Sequence, residues 1–135
     1  MKITTYLNFA GRCAEAFAFY ADLFGGNITF SQTFGETPMK DMFPGQEDKI
    51  MHATLQIGDQ EIMGSDVPPA NYHTPAGFGV TIASSDLARI ERIFNALADG
   101  GTVVMPLQET YWAPKFGMVT DRFGTPWLLN GETPA

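Results

Sequence analysis

Cysteine, histidine and basic side chains are all scarce in this chain, and each scarcity removes a class of function. A single cysteine, Cys13, in 135 residues leaves no partner for an intramolecular disulfide and no thiolate-rich metal site. Two histidines, His52 and His73, give little material for imidazole ligands. Eight Lys and Arg stand against fifteen Asp and Glu, a formal charge of −7. That balance argues against nucleic acid or anionic membrane as partners, because both need basic residues to neutralise phosphates. No apolar run approaches the ~20 residues of a membrane span. The opening MKITTYLNF lacks the apolar core of a signal peptide, so the expectation is a cytoplasmic protein. What is plentiful is core material: 44% hydrophobic residues, with eleven Phe, predict one folded domain over residues 1–135.

The local signals alternate between strand and helix. Ile3–Phe9 puts Ile3, Thr5, Leu7 and Phe9 on one face, which reads as a strand. Ala14–Phe24 places Phe17, Tyr20, Ala21 and Phe24 at helical spacing and stops at Gly25-Gly26. Strands are predicted over Asn27–Phe34, Ile50–Ile57 and Glu61–Ser65, with a polar loop at Gly35–Asp48 and a turn at Gly58-Asp59. Residues Val67–Gly77, with three prolines, read as a linker. The programme then repeats. A strand at Phe78–Ala83 leads through Ser84-Ser85-Asp86, which offers N-capping side chains, to a helix with Ile90, Ile93, Phe94 and Leu97 on one face. That helix stops at Gly100-Gly101, and strands follow at Thr102–Leu107, Phe116–Thr120 and Thr125–Leu129.

The two halves superpose at a constant offset. Leu7 and Phe9 match Val80 and Ile82, and the apolar face of the first helix matches that of the second. Both helices end at a Gly-Gly pair followed by a strand, GGNITF and GGTVVM. The chain therefore reads as α+β, with two βαβββ repeats (about 1–66 and 78–132, joined by 67–77). Two such units would form a curled mixed sheet around a concavity with the helices outside, a natural seat for a small ligand.

The segments YLNFAGRCAEAFAFYADLFGG, FGETP, HATLQIGDQEIMGSD and PLQETYWAPKFGMVTDRFGTPWLLN resemble the vicinal oxygen chelate superfamily of glyoxalases, bleomycin-resistance proteins and dioxygenases. More closely they resemble its PhnB-like branch, which has often carried a demethylubiquinone methyltransferase label. The spacing of Trp112, Phe116-Gly117, Asp121, Phe123-Gly124 and Trp127 is the most specific part. The methyltransferase label itself has no counterpart in a glycine-rich strand–turn–helix suited to S-adenosylmethionine. Metal-dependent members hold a divalent ion with His and Glu from equivalent strands. Carried over by resemblance, the four ligand positions fall on Thr5 or Tyr6, on Met63, on Gly79 and on Leu128. None is a customary ligand, so the expected metal set is empty. The resemblance also implies a homodimer.

Replacing ionic ligands by Met and Leu predicts an apolar pocket for a small organic molecule. The candidate lining residues are Tyr6, Met63, Ser65, Trp112, Phe116, Met118, Leu128 and Asn130. No catalytic constellation is legible. Ser65-Asp66 has no nearby His in sequence, and Cys13 has only Arg12 beside it. Asp66, Glu109 and Glu132 lie near predicted strand ends, where each offers a carboxylate. Glu109 and Asp121 are expected as neighbours across a hairpin, and Asp121 as an acceptor within its own turn. Two alternatives stand beside the apolar binder. One is a metal-dependent lyase, isomerase or dioxygenase with shifted ligands such as His52 or Glu109. The other is a structural dimer whose cavity is filled by its own side chains.

Overall fold

The computed structural model describes residues 1–134. Contacts divide the chain into two units, one over Met1–His73 and a second that begins at Thr74. Unit one contains β1 (Thr5–Phe9), α1 (Cys13–Phe24), β2 (Asn27–Thr33), β3 (Ile50–Ile57) and β4 (Gln60–Asp66). Unit two contains β5 (Val80–Ser84), α2 (Leu87–Ala98), β6 (Thr102–Gln108), β7 (Lys115–Thr120) and β8 (Pro126–Gly131). Each unit is one βαβββ repeat, and the class is α+β. The sheets are topologically alike, in the orders β1-β4-β3-β2 and β5-β8-β7-β6. In each, the first strand of the repeat runs parallel to the last, and the other pairings are antiparallel.

The helices form where the apolar spacing places them, and each covers one face of its own sheet. In unit one Cys13, Ala16, Phe17, Tyr20 and Phe24 are buried with Leu7, Phe9, Ala53, Leu55 and Ile62. The Phe17 ring meets Phe9 edge-on at 6.0 Å. It also lies over Gly64, where a Cβ would stand 2.9 Å from Phe17 Cζ. Gly117 receives the Phe94 ring of α2 in the same way, at 2.8 Å. In unit two Ile90, Ile93, Phe94 and Leu97 bury with Val119, Trp127 and Leu129. Each large apolar side chain so buried contributes ~2 kcal/mol.

The helix starts differ. Asp86 caps α2 locally, its side chain accepting the Arg89 N–H at 3.1 Å, and Ser84 Oγ accepts the Asp86 N–H. Arg12 stands at the N-cap of α1 without a side-chain cap bond. The Cys13 N–H instead donates to Asp66 Oδ1 at 2.9 Å, a carboxyl that arrives from the end of β4.

Strand ends differ from the sequence expectation where a pairing partner runs out. Ile3 lies outside β1 and is 93% exposed, because the ladder with β4 begins at Thr5↔Ile62. Phe78 and Gly79 precede β5, whose ladder with β8 begins at Val80↔Trp127. The loop after β2 is not featureless. It holds two 3-10 turns, Phe34–Glu36 and Lys40–Met42.

Candidate functional site: the open sheet faces

Alternation along the strands leaves each sheet one face covered by its helix and one open face. In the first sheet the pairings Tyr6↔Met63, Met63↔Thr54 and Thr54↔Phe30 run as one row across that face. Asn8↔Ser65 lies on the same face, as does Gln32↔His52. In the second sheet the corresponding row is Thr81, Leu128, Met118 and Met105. Beside it lie Ala83, Asn130, Phe116 and Gln108. The sequence candidates thus divide three and five. Tyr6, Met63 and Ser65 share the first open face. Phe116, Met118, Leu128 and Asn130 share the second, and Trp112 reaches Phe116 from the preceding loop, ring centroids 5.1 Å apart.

The two faces differ in texture. On the first, Tyr6 is 43% and Phe30 48% exposed, with His52 between them. The imidazole stacks on Tyr6 at 5.6 Å and meets Phe30 at 5.8 Å. Its Nδ1 is 3.1 Å from Tyr6 Oη and its Nε2 3.3 Å from Thr54 Oγ1. Ser65 is buried, with only 8% exposure, so it forms the floor of this face. On the second face hydrocarbon, thioether and aromatic groups dominate, and Trp112 is 52% exposed. Asn130 supplies the polar exception. Its Oδ1 is buried without a hydrogen-bond partner, a state that costs ~1–3 kcal/mol unless a donor is brought to it.

Of the positions that the resemblance assigns to superfamily metal ligands, with Tyr6 taken for the first strand, two pairs are adjacent. Tyr6 pairs with Met63. Gly79 lies under Leu128, and a Cβ at residue 79 would collide with Leu128 Cδ1. A leucyl side chain therefore fills the space that a ligand at 79 would need. Among the described residues, no three His, Cys, Asp or Glu side chains converge in a way that could hold an ion. The donor set present here (a phenol, a thioether, no side chain and an isobutyl group) does not fit a hard or borderline divalent ion.

The carboxyls expected near strand ends serve the fold. Asp66 is 2% exposed and accepts N–H groups from both Cys13 and Ile50, each at 2.9 Å. That ties the start of α1 and the start of β3 to the end of β4. Asp121 accepts the Phe123 and Thr125 N–H groups within its turn, as its Asp-x-x-Gly spacing predicts. It also accepts the indole N–H of Trp127 at 2.8 Å, which spacing alone did not reveal. Glu109 and Asp121 are not hairpin neighbours. Glu109 follows Gln108↔Phe116 at one end of the β6–β7 ladder, whereas Asp121 follows Thr102↔Thr120 at the other. Burial, and secondarily the charge of Asp66, pushes the Cys13 thiol well above its ordinary pKa, which leaves it inert as a nucleophile.

Sequence reasoning also missed the grouping of Tyr6, Phe30, His52 and Thr54. The alternation of Ile50–Ile57 assigns His52 and Thr54 to one face, but its partner Tyr6 lies 46 residues away. A solvent-open recess of about 360 Å³ lies in unit two, with Phe94, Leu107, Gln108, Glu109 and Lys115 among its lining. Phe94 and Leu107 flank the helix side of Gly117, so this recess reaches the helix side of the second sheet, and Leu128 is not in its lining.

The sequence model of the 3-demethylubiquinone-9 3-methyltransferase family matches residues 1–130. The chain belongs to this PhnB-like family. It is 43% identical to protein PA1353 from Pseudomonas aeruginosa, over 99% of each chain, with a TM-score of 0.91. To the PhnB protein from Bacillus cereus it is 31% identical over 96% of this chain and 98% of the other, with a TM-score of 0.83. A member of the glyoxalase/bleomycin resistance protein/dioxygenase superfamily from Sphaerobacter thermophilus shares the fold. That likeness has 16% identity over 96% and 97% of the two chains and a TM-score of 0.56. This PhnB-like chain therefore shares the fold of a glyoxalase/bleomycin resistance protein/dioxygenase superfamily member. No helix among the described residues is long and apolar enough to cross a membrane.

Proposed function

We propose that this PhnB-like protein binds a small, mainly apolar organic molecule against its open sheet faces, without a resident metal ion. It does so as a homodimer in the cytoplasm, the compartment in which the lone thiol Cys13 stays reduced. One observation carries the reading: Leu128 covers Gly79, so hydrocarbon stands where the superfamily chemistry needs two donor atoms. Tyr6 beside Met63 repeats the same change in the other unit. Thioether, indole and phenyl groups at Met118, Met105, Trp112 and Phe116 supply adaptable apolar contact, and the Asn130 amide supplies a polar anchor. A face of this kind gains affinity from burial and takes its orientation from a few polar groups. The methyl-transfer chemistry in the family's name is not part of the proposal. Both sheets are four-stranded and mixed, with neither the doubly wound order nor the glycine-rich βα turn of dinucleotide-type sites. Exposed Val103 and Val104 on β6, at the edge of its sheet, support self-association.

The test is metal analysis of protein purified without chelator, joined to melting curves with added Ni, Zn, Mn and Fe. No stoichiometric ion and no metal-dependent rise in Tm are expected. One tightly held ion with a clear Tm increase would replace it with a metal-dependent enzyme. Light scattering should give twice the monomer mass.

A further inference from the structure

The recess of about 360 Å³ in unit two lies where α2 passes the end of β6 and the start of β7. Its floor is hydrocarbon. Gly117 has no side chain, so Phe94 of α2 and Leu107 of β6 close over its backbone. A Cβ at Gly117 would stand 2.8 Å from the Phe94 ring and 3.1 Å from Leu107 Cδ2. Pro114 adds a further apolar wall. The register of β6 on β7 slips between Met105 and Gln108, an irregularity of the kind that re-aims side chains. Past it, alternation puts Glu109 on the same side of the strand as Leu107. Unit one is built differently here. Counted from the Gly-Gly pair of each unit, Glu109 corresponds to Phe34, which is buried and meets Phe43 at 4.9 Å. One unit buries a phenyl ring after its second strand, and the other leaves a recess with a carboxylate at the rim.

The rim charges fix the polarity of an occupant. Lys115 Nζ is held by Glu91 at 2.6 Å, so its ammonium is already engaged. The Glu109 carboxylate is exposed, and no hydrogen bond or ion pair among the described residues engages it. The rim thus carries one negative charge beyond a neutral pair. Asn95, one turn beyond Glu91 on α2, adds an amide oxygen. An anion would meet two carboxylates and an occupied ammonium. A metal ion would find too few donors, since no three His, Cys, Asp or Glu side chains converge among the described residues.

We propose that this recess is a second binding site, for a primary ammonium group carried on a small apolar body. The body lies on Phe94, Leu107 and Pro114. The ammonium donates to Glu109, and to the side-chain oxygen of Asn95. An exposed ion pair contributes little by itself, so hydrocarbon burial supplies most of the affinity and Glu109 selects the charge. The site is separate from the open sheet faces, and ligand binding there stands or falls independently.

Phenethylammonium is the probe, with phenethyl alcohol as its uncharged counterpart and hydrocinnamate as its anionic one. Methyl and amide NMR of the full chain should show saturable shifts at Leu107 and Glu109 with phenethylammonium. The alcohol should bind more weakly and hydrocinnamate more weakly still. Glu109→Gln should weaken phenethylammonium about fivefold and leave the alcohol unchanged. Raising salt from about 0.01 M to about 0.15 M, which cuts the Debye length from about 30 Å to about 8 Å, should weaken only the cation. Asn95→Trp, at an exposed helix position, should block the recess to all three probes, and melting curves check that both variants stay folded. Equal binding of cation and alcohol, unaltered in Glu109→Gln, would overturn the proposal. So would binding that persists in Asn95→Trp, or shifts confined to Met118 and Leu128 on the open face.

Discussion

The open face of the first sheet sets Tyr6, Met63, Thr54 and Phe30 in one row, with His52 hydrogen-bonded beside it. The matching row of the second sheet is Thr81, Leu128, Met118 and Met105. Strand order and pairing sense are the same in both, so the backbone does not distinguish them. The helix sides diverge as well. Unit one packs Phe17, Tyr20 and Phe24, while unit two packs Ile90, Ile93 and Leu97 with a single Phe94. A duplicated scaffold thus holds two chemically distinct surfaces, one built on hydroxyl, imidazole and aromatic rings, the other on hydrocarbon and sulfur. Site chemistry is carried by the side chains on the open face, and the fold alone does not determine it.

The comparison can be broken first at the buried carboxyls. Asp121→Ala in unit two strands three donors, the N–H groups of Phe123 and Thr125 and the Trp127 indole. Loss of a buried, multiply bonded carboxyl of this kind should cost about 3–5 kcal/mol in urea unfolding. Asp66→Ala in unit one strands two donors, those of Cys13 and Ile50, and should cost less, about 2–3 kcal/mol. A larger loss at Asp66 than at Asp121 would show that tying α1 to the sheet matters more than the number of donors.

A smaller effect is expected where Leu128 covers Gly79. Gly79→Ala should destabilise by about 1–2 kcal/mol through steric overlap. Adding Leu128→Ala should recover part of that loss, so the double variant is less destabilised than the sum of the singles. Strict additivity would mean that the two residues do not share space. The reciprocal change on the first face, Tyr6→Phe, should alter stability by less than about 1 kcal/mol, since the lost bond is exposed.

A further effect concerns pH. Folding raises the Cys13 thiol pKa, through burial first and the charge of Asp66 second. Such a group contributes stability that is fully present below the unfolded thiol pKa of about 8.5. That contribution is lost as pH rises above it, because only the unfolded chain then releases the proton. Unfolding free energy should therefore decline between about pH 8.5 and pH 10, and the thiol should resist alkylation until the chain unfolds.

Much of the fold was legible before any coordinates. The Gly-Gly stops, the apolar helix faces and the Asp86 cap are local signals, and each helix formed where they place it. Strand ends were less legible, because Ile3 and Phe78 have strand-like sequence and no partner at their register. The cap on α1 was illegible for a related reason, since Asp66 acts at a residue 53 positions away. At the site, Met63 and Leu128 could be placed by motif alignment, and alternation sorted Ser65 and Asn130 onto the same faces. The His52–Tyr6 contact depends on strand order across β1, β4 and β3, which periodicity does not encode. The indole bond of Trp127 to Asp121 likewise depends on the turn folding back on its own strand.

The central claim is that apolar chemistry has taken over the positions where metal ligands would stand. Methyl-13C-methionine spectra test it directly, with indole as an apolar probe and zinc as the competing one. Indole should shift the methyls of Met105 and Met118 and leave those of exposed Met1 and Met42 in place, while one equivalent of zinc should shift none. Zinc shifting Met63 or Met118 at one equivalent, with no response to indole, would contradict the account.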